Sequence, residues 1–362
     1  MTNSTFCLSF HSSWRCQHAG ACCRAGWAIP VERQAFEHVR VHFGNHPEVD
    51  SRFVTGGPLP EGAAAMLATR GDGACVFHDN SRCAIHRELG HEALPIACQQ
   101  FPRIALHDPR GTFVTLSHFC PTAARLLVTG RCVEVVPAPA SLVALQALEG
   151  LDALRALPPL LTPTVLTDLD GYAEWERQCL RILALESLSS ECALDTIEAA
   201  TRRMIGWRPE WGPLGTTVQH AFSSEPSDRV WTHTEDEQRF RLACAAVPRG
   251  LGRPSLPESS GHRQLPVWWP ELAGAARRFV AAHLFGNWVA YHGRTLITLV
   301  TALKICLSVL RIEAIRSDDA HADQPVEMRF IEAVRRSDLL LVHLLDIPAL
   351  VRTIEGREIV NR

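Results

Sequence analysis

Lysine is almost missing from this 362-residue chain: of its 36 basic residues only Lys304 is a lysine. No basic patch accompanies the arginines, so the bias reads as genome base composition rather than as function. Excess charge of either sign is missing too. With 39 acidic residues the net charge is -3, which argues against a nucleic-acid binder that works by neutralising phosphates. Long apolar runs are absent. The longest, Thr295–Leu310, has 16 residues and contains Lys304, short of the roughly 18 that a spanning helix needs. No membrane span is expected, and this stretch is expected to be a buried core helix. Met1–Phe10 has neither a basic n-region nor a long apolar h-region, so a cytoplasmic location without a secretory signal is expected. There is no phosphate loop and no G-x-S-x-G elbow. Gly250-Leu251-Gly252 follows no strand and runs into Pro254, which fails the dinucleotide-binding context.

What the chain does have is 46% hydrophobic residues, enough for a sizeable core, and thirteen cysteines. In a reducing compartment a cysteine cluster reads as metal-binding or catalytic before it reads as disulfides. Nine of the thirteen lie in the first 132 residues. That asymmetry divides the chain into an irregular cysteine-rich domain, 1–135, and a helical domain, 136–362. The first is punctuated by Gly56-Gly57-Pro58, Gly71-Asp72-Gly73 and Pro109-Arg110-Gly111. Short helices are expected at Pro30–His42 and Gly62–Thr69, and a strand at Phe113–Leu116. So broken a chain needs more than a hydrophobic core, and a metal centre would staple it.

In the second region Trp175, Cys179, Ile182 and Leu183 share one helix face. Pro158-Pro159 is expected to end a preceding helix. Thr234 with Glu237 forms an expected capping box, followed by Phe240, Cys244 and Val247 at helical spacing. A loop is expected from Pro248 to Pro270. Helical stretches follow at Glu271–Arg316, interrupted by Gly286 and Gly293, and at Val326–Leu345. The expected fold is mainly α. Cys179, Cys192, Cys244 and Cys306 read as small core residues on apolar faces. Asp168, Asp170 and Asp318-Asp319 read as solvated turns. Trp268-Trp269 reads as a cap on the helical core, with a partner-binding patch as the alternative.

The chemical signal is a set of seven cysteines: Cys16, Cys22 and Cys23, then Cys75 and Cys83, then Cys98, then Cys120. Thiolates are soft ligands that select zinc, copper(I) or iron–sulfur clusters. Seven exceed the four that one zinc or one cluster commonly takes, so either two metal sites or one cluster with spare thiols would account for them. Cys22 and Cys23 are adjacent, and neighbouring side chains tend to diverge from one ion. A redox pair using them would need partners elsewhere in the cluster. No C-x2-C pair and no ferredoxin run is present. His78, His86, His91 and His118 lie close enough in sequence to complete a mixed site, although a histidine beside a ligand cysteine more often supports the ligand than binds the metal.

Four blocks carry a resemblance. They are Trp14, Cys16, Gly20, Cys22 and Cys23; Cys75 with Cys83-Ala84-Ile85-His86; Pro95 with Cys98-Gln99-Gln100-Phe101-Pro102-Arg103; and Cys120-Pro121-Thr122-Ala123-Ala124. In order and spacing these resemble the YkgJ-type cysteine-cluster family of zinc- or iron-chelating proteins, within it the flagellin lysine-N-methylase branch. The resemblance spans residues 10–127. Ala19 stands where many members have a further cysteine, with His18 beside it as a substitute, and Gln99 replaces the usual arginine. The resemblance implies an iron–sulfur cluster or zinc on the seven cysteines. It also implies methyl transfer from S-adenosylmethionine to lysines of a protein substrate such as flagellin. The glycine-rich strand–turn–helix that holds this cofactor in common methyltransferases is absent, and no catalytic residue is identified. The alternative is a non-catalytic zinc- or iron-chelating module with a structural or metal-handling role.

Overall fold

The computed structural model describes residues 4–44, 50–79, 82–143, 148–248 and 264–360. Helix makes up 53% and strand 13% of it, so the fold is mainly α. Most of the expected loop Pro248–Pro270, including Gly250-Leu251-Gly252, lies outside the described residues.

A five-stranded sheet underlies the molecule, in the order Gly150–Asp152, Arg103–Asp108, Gly111–Leu116, Thr5–Leu8, Val135–Pro137. Arg103–Asp108 and Gly111–Leu116 form a hairpin closed by Pro109-Arg110. Gly111 takes a φ of 141° there, and a Cβ on it would sit 2.6 Å from the Ser4 carbonyl oxygen, so the turn admits only glycine. Thr5–Leu8 lies parallel to the hairpin's second strand and antiparallel to Val135–Pro137, which crosses the expected boundary at 135. Side chains alternate across the sheet. Leu8 and Phe113 join the main core, while Cys7 and Leu116 pack on the opposite face with Trp14, Cys120 and Leu142.

Helices cover the main face. The centre is Leu296–Ala320, 25 residues long with 19 buried. A helix apolar on all sides must be enclosed, and His233–Ala245, Val326–Asp338 and Ser190–Arg203 enclose it. The 16-residue apolar run is thus a core element. Among the described residues no helix is long and apolar enough to cross a membrane. Its buried charges are paired: Lys304 with Asp195 at 2.5 Å and with Glu198, and Arg311 with Asp236 at 2.7 Å and with Glu191.

Leu169–Ala184 buries Trp175, Cys179, Ile182 and Leu183 as the spacing requires. The interruptions at Gly286 and Gly293 and the segment from Val326 also fall where the pattern puts them. Four expectations change. Gly62–Thr69 is not helical: Ala63–Leu67 is the middle strand of a three-stranded sheet with Pro30–Glu32 and Phe53–Val54, so tertiary pairing overrides the helix preference of its alanines. Pro30 accordingly opens a strand, and the helix starts at Arg33. No long helix directly precedes Pro158: between residues 138 and 157 the described residues hold only the short helix Ala140–Val143 and the strand Gly150–Asp152. The capping box is Thr232 with Glu235, two residues earlier than Thr234 with Glu237. Buried Trp231 fixes that earlier start by donating to Asp195 at 2.9 Å.

Asp168 caps the helix after it by accepting from Gly171. Asp318 lies in the last turns of the central helix and takes the Trp268 indole N–H at 2.7 Å, so neither is simply solvated. Trp268 and Trp269 are both buried against Phe330, capping the core rather than forming a patch.

A smaller apolar cluster stands apart from the main core. It gathers Val31, Val39, Phe43, Phe53, Phe77, Ile85 and Leu94, all from the cysteine-rich segment.

Candidate metal centre

The first cysteine block turns tightly. His18 adopts a φ of 54° and Gly20 one of 68°, both left-handed, and Cys22–Arg24 then form a 3₁₀ turn. The Cys75 amide donates to the Cys23 carbonyl oxygen at 2.7 Å, tying the second block to the first. Cys83 precedes the helix Ala84–Leu89, Cys98 sits in the helix Ile96–Gln100, and Cys120 precedes Pro121–Thr129. These placements surround one cavity of about 140 Å³.

All seven predicted cysteines, Cys16, Cys22, Cys23, Cys75, Cys83, Cys98 and Cys120, line that cavity. His18, His86 and His91 line it as well, while His78 and His118 do not. The remaining cysteines stay away from it: Cys179 is buried in the core, and Cys244 and Cys306 pack against it. Cys22 and Cys23 do not diverge; their sulfurs lie 4.0 Å apart.

The thiols interact. Cys23 shares hydrogen bonds with Cys22 and Cys83, which push its own thiol up. The same hydrogen bonds lower Cys22 and bring Cys83 down to about 7. Burial raises Cys98 and Cys75, and the neighbouring thiols Cys83 and Cys22 raise them further. Cys16 is raised by burial first, and feels Cys120 and Cys22. Such mutual repulsion is what a soft cation relieves, because metal binding takes thiolates and releases their protons.

The rest of the lining fits this chemistry. Among the described residues it contains no carboxylate, so calcium and magnesium, which need oxygen ligands, are poorly served. Arg103 brings a guanidinium to it, stacked 4.9 Å from the Trp14 ring centroid. Trp14 and Trp27 both line the cavity, and both indole N–H groups are buried without a partner. Orphaned donors beside thiols fit a group that brings its own acceptors, as the sulfides of an iron–sulfur cluster do.

Spacing also bears on the type of centre. Zinc–thiolate bonds of about 2.3 Å put tetrahedral sulfurs about 3.8 Å apart. Among the described residues, one set of three histidine, cysteine or acidic donors has all its ligand atoms within 4.8 Å of one another, and it contains no cysteine. The thiols form a wider shell.

The donor set without cysteine is His118 and Asp338, both buried, with the half-buried His283. Of these, sequence spacing singles out only His118, and as a partner for the cysteines. The three come from residues up to 220 positions apart, so no local spacing could reveal them.

No family model, curated protein or solved structure matches the chain.

Proposed function

We propose that this chain is a metal-binding cysteine-cluster protein and that the seven thiols hold an iron–sulfur centre. The observation that carries this reading is the convergence of four separate sequence blocks on one cavity that has no carboxylate among the described residues. The breadth of the thiol shell and the two orphaned indole donors favour a cluster over a single zinc ion. Cys22, Cys23, Cys75, Cys83 and Cys98 influence one another most directly, and four of these five suffice for a cluster. Cys16 and Cys120 line the same cavity and interact with each other. A cytoplasmic, reducing location belongs to this reading, because metal ligation needs the thiols reduced.

The resemblance over residues 10–127 adds the activity: S-adenosylmethionine-dependent methylation of lysines on a protein substrate, with flagellin as the example. A cluster at this site would supply electron transfer or a coordination position for a substrate group. The chain's own residues would shape and charge the pocket: Arg103 offsets thiolate charge, and Trp14 and Trp27 exclude water. The non-catalytic alternative, a zinc- or iron-holding module, keeps the same ligands and drops the reaction.

The test is iron, acid-labile sulfide and visible absorption of anaerobically purified protein. Iron and sulfide in matching amounts, lost in a Cys75→Ser/Cys98→Ser variant, support the cluster. A colourless protein with stoichiometric zinc overturns it in favour of the structural module. Methyl transfer to a lysine-bearing protein, measured with labelled S-adenosylmethionine, then separates the enzyme from the module.

A further inference from the structure

We propose that His118, His283 and Asp338 form a second metal site, distinct from the thiol cavity, for a divalent transition ion that takes nitrogen and oxygen donors. The three side chains are delivered by three rigid elements. His118 follows the central strand Gly111–Leu116, His283 lies in the last turn of the helix Ala273–Leu284, and Asp338 ends the helix Val326–Asp338. None of them lines the cavity that holds the seven cysteines.

The three are joined by hydrogen bonds whose lengths also suit ligands sharing an ion. Asp338 presents one carboxylate oxygen to His283 Nε2 at 2.9 Å and the other to His118 Nδ1 at 3.1 Å. Donors about 2.0–2.1 Å from a common ion stand about 2.9–3.4 Å apart for bond angles between octahedral and tetrahedral. All three ligand atoms lie within 4.8 Å of one another. Two imidazoles and one carboxylate suit zinc or ferrous iron and leave coordination positions free.

The surroundings supply what a metal site needs beyond its ligands. Ligand imidazoles are oriented through their second nitrogen. His118 Nε2 meets His11 Nε2 at 3.1 Å, and His11 is wholly buried. His283 is reached by Cys306 from the central helix. The His118 amide donates to the same carboxylate and fixes its direction. Phe10 and Phe279 close the cluster from the apolar side. A carboxylate and three imidazoles enclosed in such a core are costly unless charge and hydrogen bonds are balanced, and a divalent ion balances them. The His283 side chain keeps 15% exposure, which gives the ion a way in.

The test uses the full chain, purified with its thiol centre occupied, and titrates it anaerobically with cobalt(II). Thiolate-bound cobalt shows intense near-ultraviolet charge transfer, whereas nitrogen- and oxygen-bound cobalt shows weak visible bands alone. The expected result is one equivalent with the weak-band spectrum. His283→Gln should lose that equivalent, while Cys75→Ser/Cys83→Ser should keep it. Cobalt bound only with thiolate character, or a full weak-band equivalent retained by His283→Gln, would overturn the proposal. Should the substitution impair folding, X-ray absorption of the cobalt-loaded wild-type chain decides the matter without a variant. It must find an environment of nitrogen and oxygen scatterers without sulfur. Failure of the thiol centre would show instead in iron and sulfide content, so the two readings fall separately.

Discussion

The cysteine-rich segment and the helical body are held together by different means. The body closes around Leu296–Ala320, whose sides all touch other helices, and even its charges find buried partners. The segment between residues 29 and 98 has a small apolar cluster around Phe43, Phe53 and Phe77, strands of two to five residues, and cysteines that stay partly exposed. A core of that size gives marginal stability by itself. The comparison teaches that hydrophobic burial sets the body's shape, while under the proposed function the segment depends on what its thiols hold.

Metal removal should break this comparison most strongly. A structural thiolate–metal site contributes folding free energy on the order of 10 kcal/mol. After chelation, residues 16–100 should become protease-sensitive, while amides of the central helix stay protected in hydrogen exchange. Equal loss of protection in both regions would remove the distinction.

Truncations inside each core come next. Trp175 is fully buried and its indole donates to Thr201 at 2.9 Å. Trp175→Ala should cost about 3–5 kcal/mol in denaturant melts and lower the stability of the whole body. Phe77→Ala removes a comparable ring, yet its loss should be largely confined to the segment and leave the helical signal near its wild-type midpoint.

A pH effect joins the two regions. His343 stacks on Trp27 with ring centroids 4.3 Å apart and shares a 2.8 Å hydrogen bond with Ser117. Burial pushes His343 down to about 4, against a partial upward pull from Asp338. The unfolded chain takes up that proton near 6.5 and the folded chain does not. Stability is therefore full above about 6.5 and is lost as pH falls toward about 4, by up to about 3 kcal/mol. His343→Phe keeps a ring against Trp27 and should flatten this part of the stability–pH curve relative to wild type. An unchanged slope would remove His343 as the cause.

The smallest expected effect concerns a helix start. Thr232→Ala should cost about 1 kcal/mol. Thr234→Ala should stay within about 0.5 kcal/mol, because the cap sits at Thr232. Equal costs would show that the cap is shared.

The cysteines were legible because their chemistry is tied to residue type: seven side chains named from spacing and resemblance line a single cavity. The helices of the body were legible through periodicity, as at Trp175 and Ile182. Ala63–Leu67 was not, because its strand pairing is decided by partners about ten or more residues away. His11, His283 and Asp338 were hidden for the same reason in stronger form. They stand far apart along the chain and carry no local motif, and only the folded contacts assemble them.

The single lysine has a practical and chemical consequence. Lys304 is 6% exposed, its ammonium held between Asp195 and Glu198. The chain thus shows solvent no side-chain amine. Acylating labels and amine-directed cross-linkers will pass over its side chains, and contacts must be mapped through carboxylates or guanidinium groups instead. Under the methylation reading, the same feature leaves no acceptor on the enzyme's own surface to compete with the lysines of its substrate.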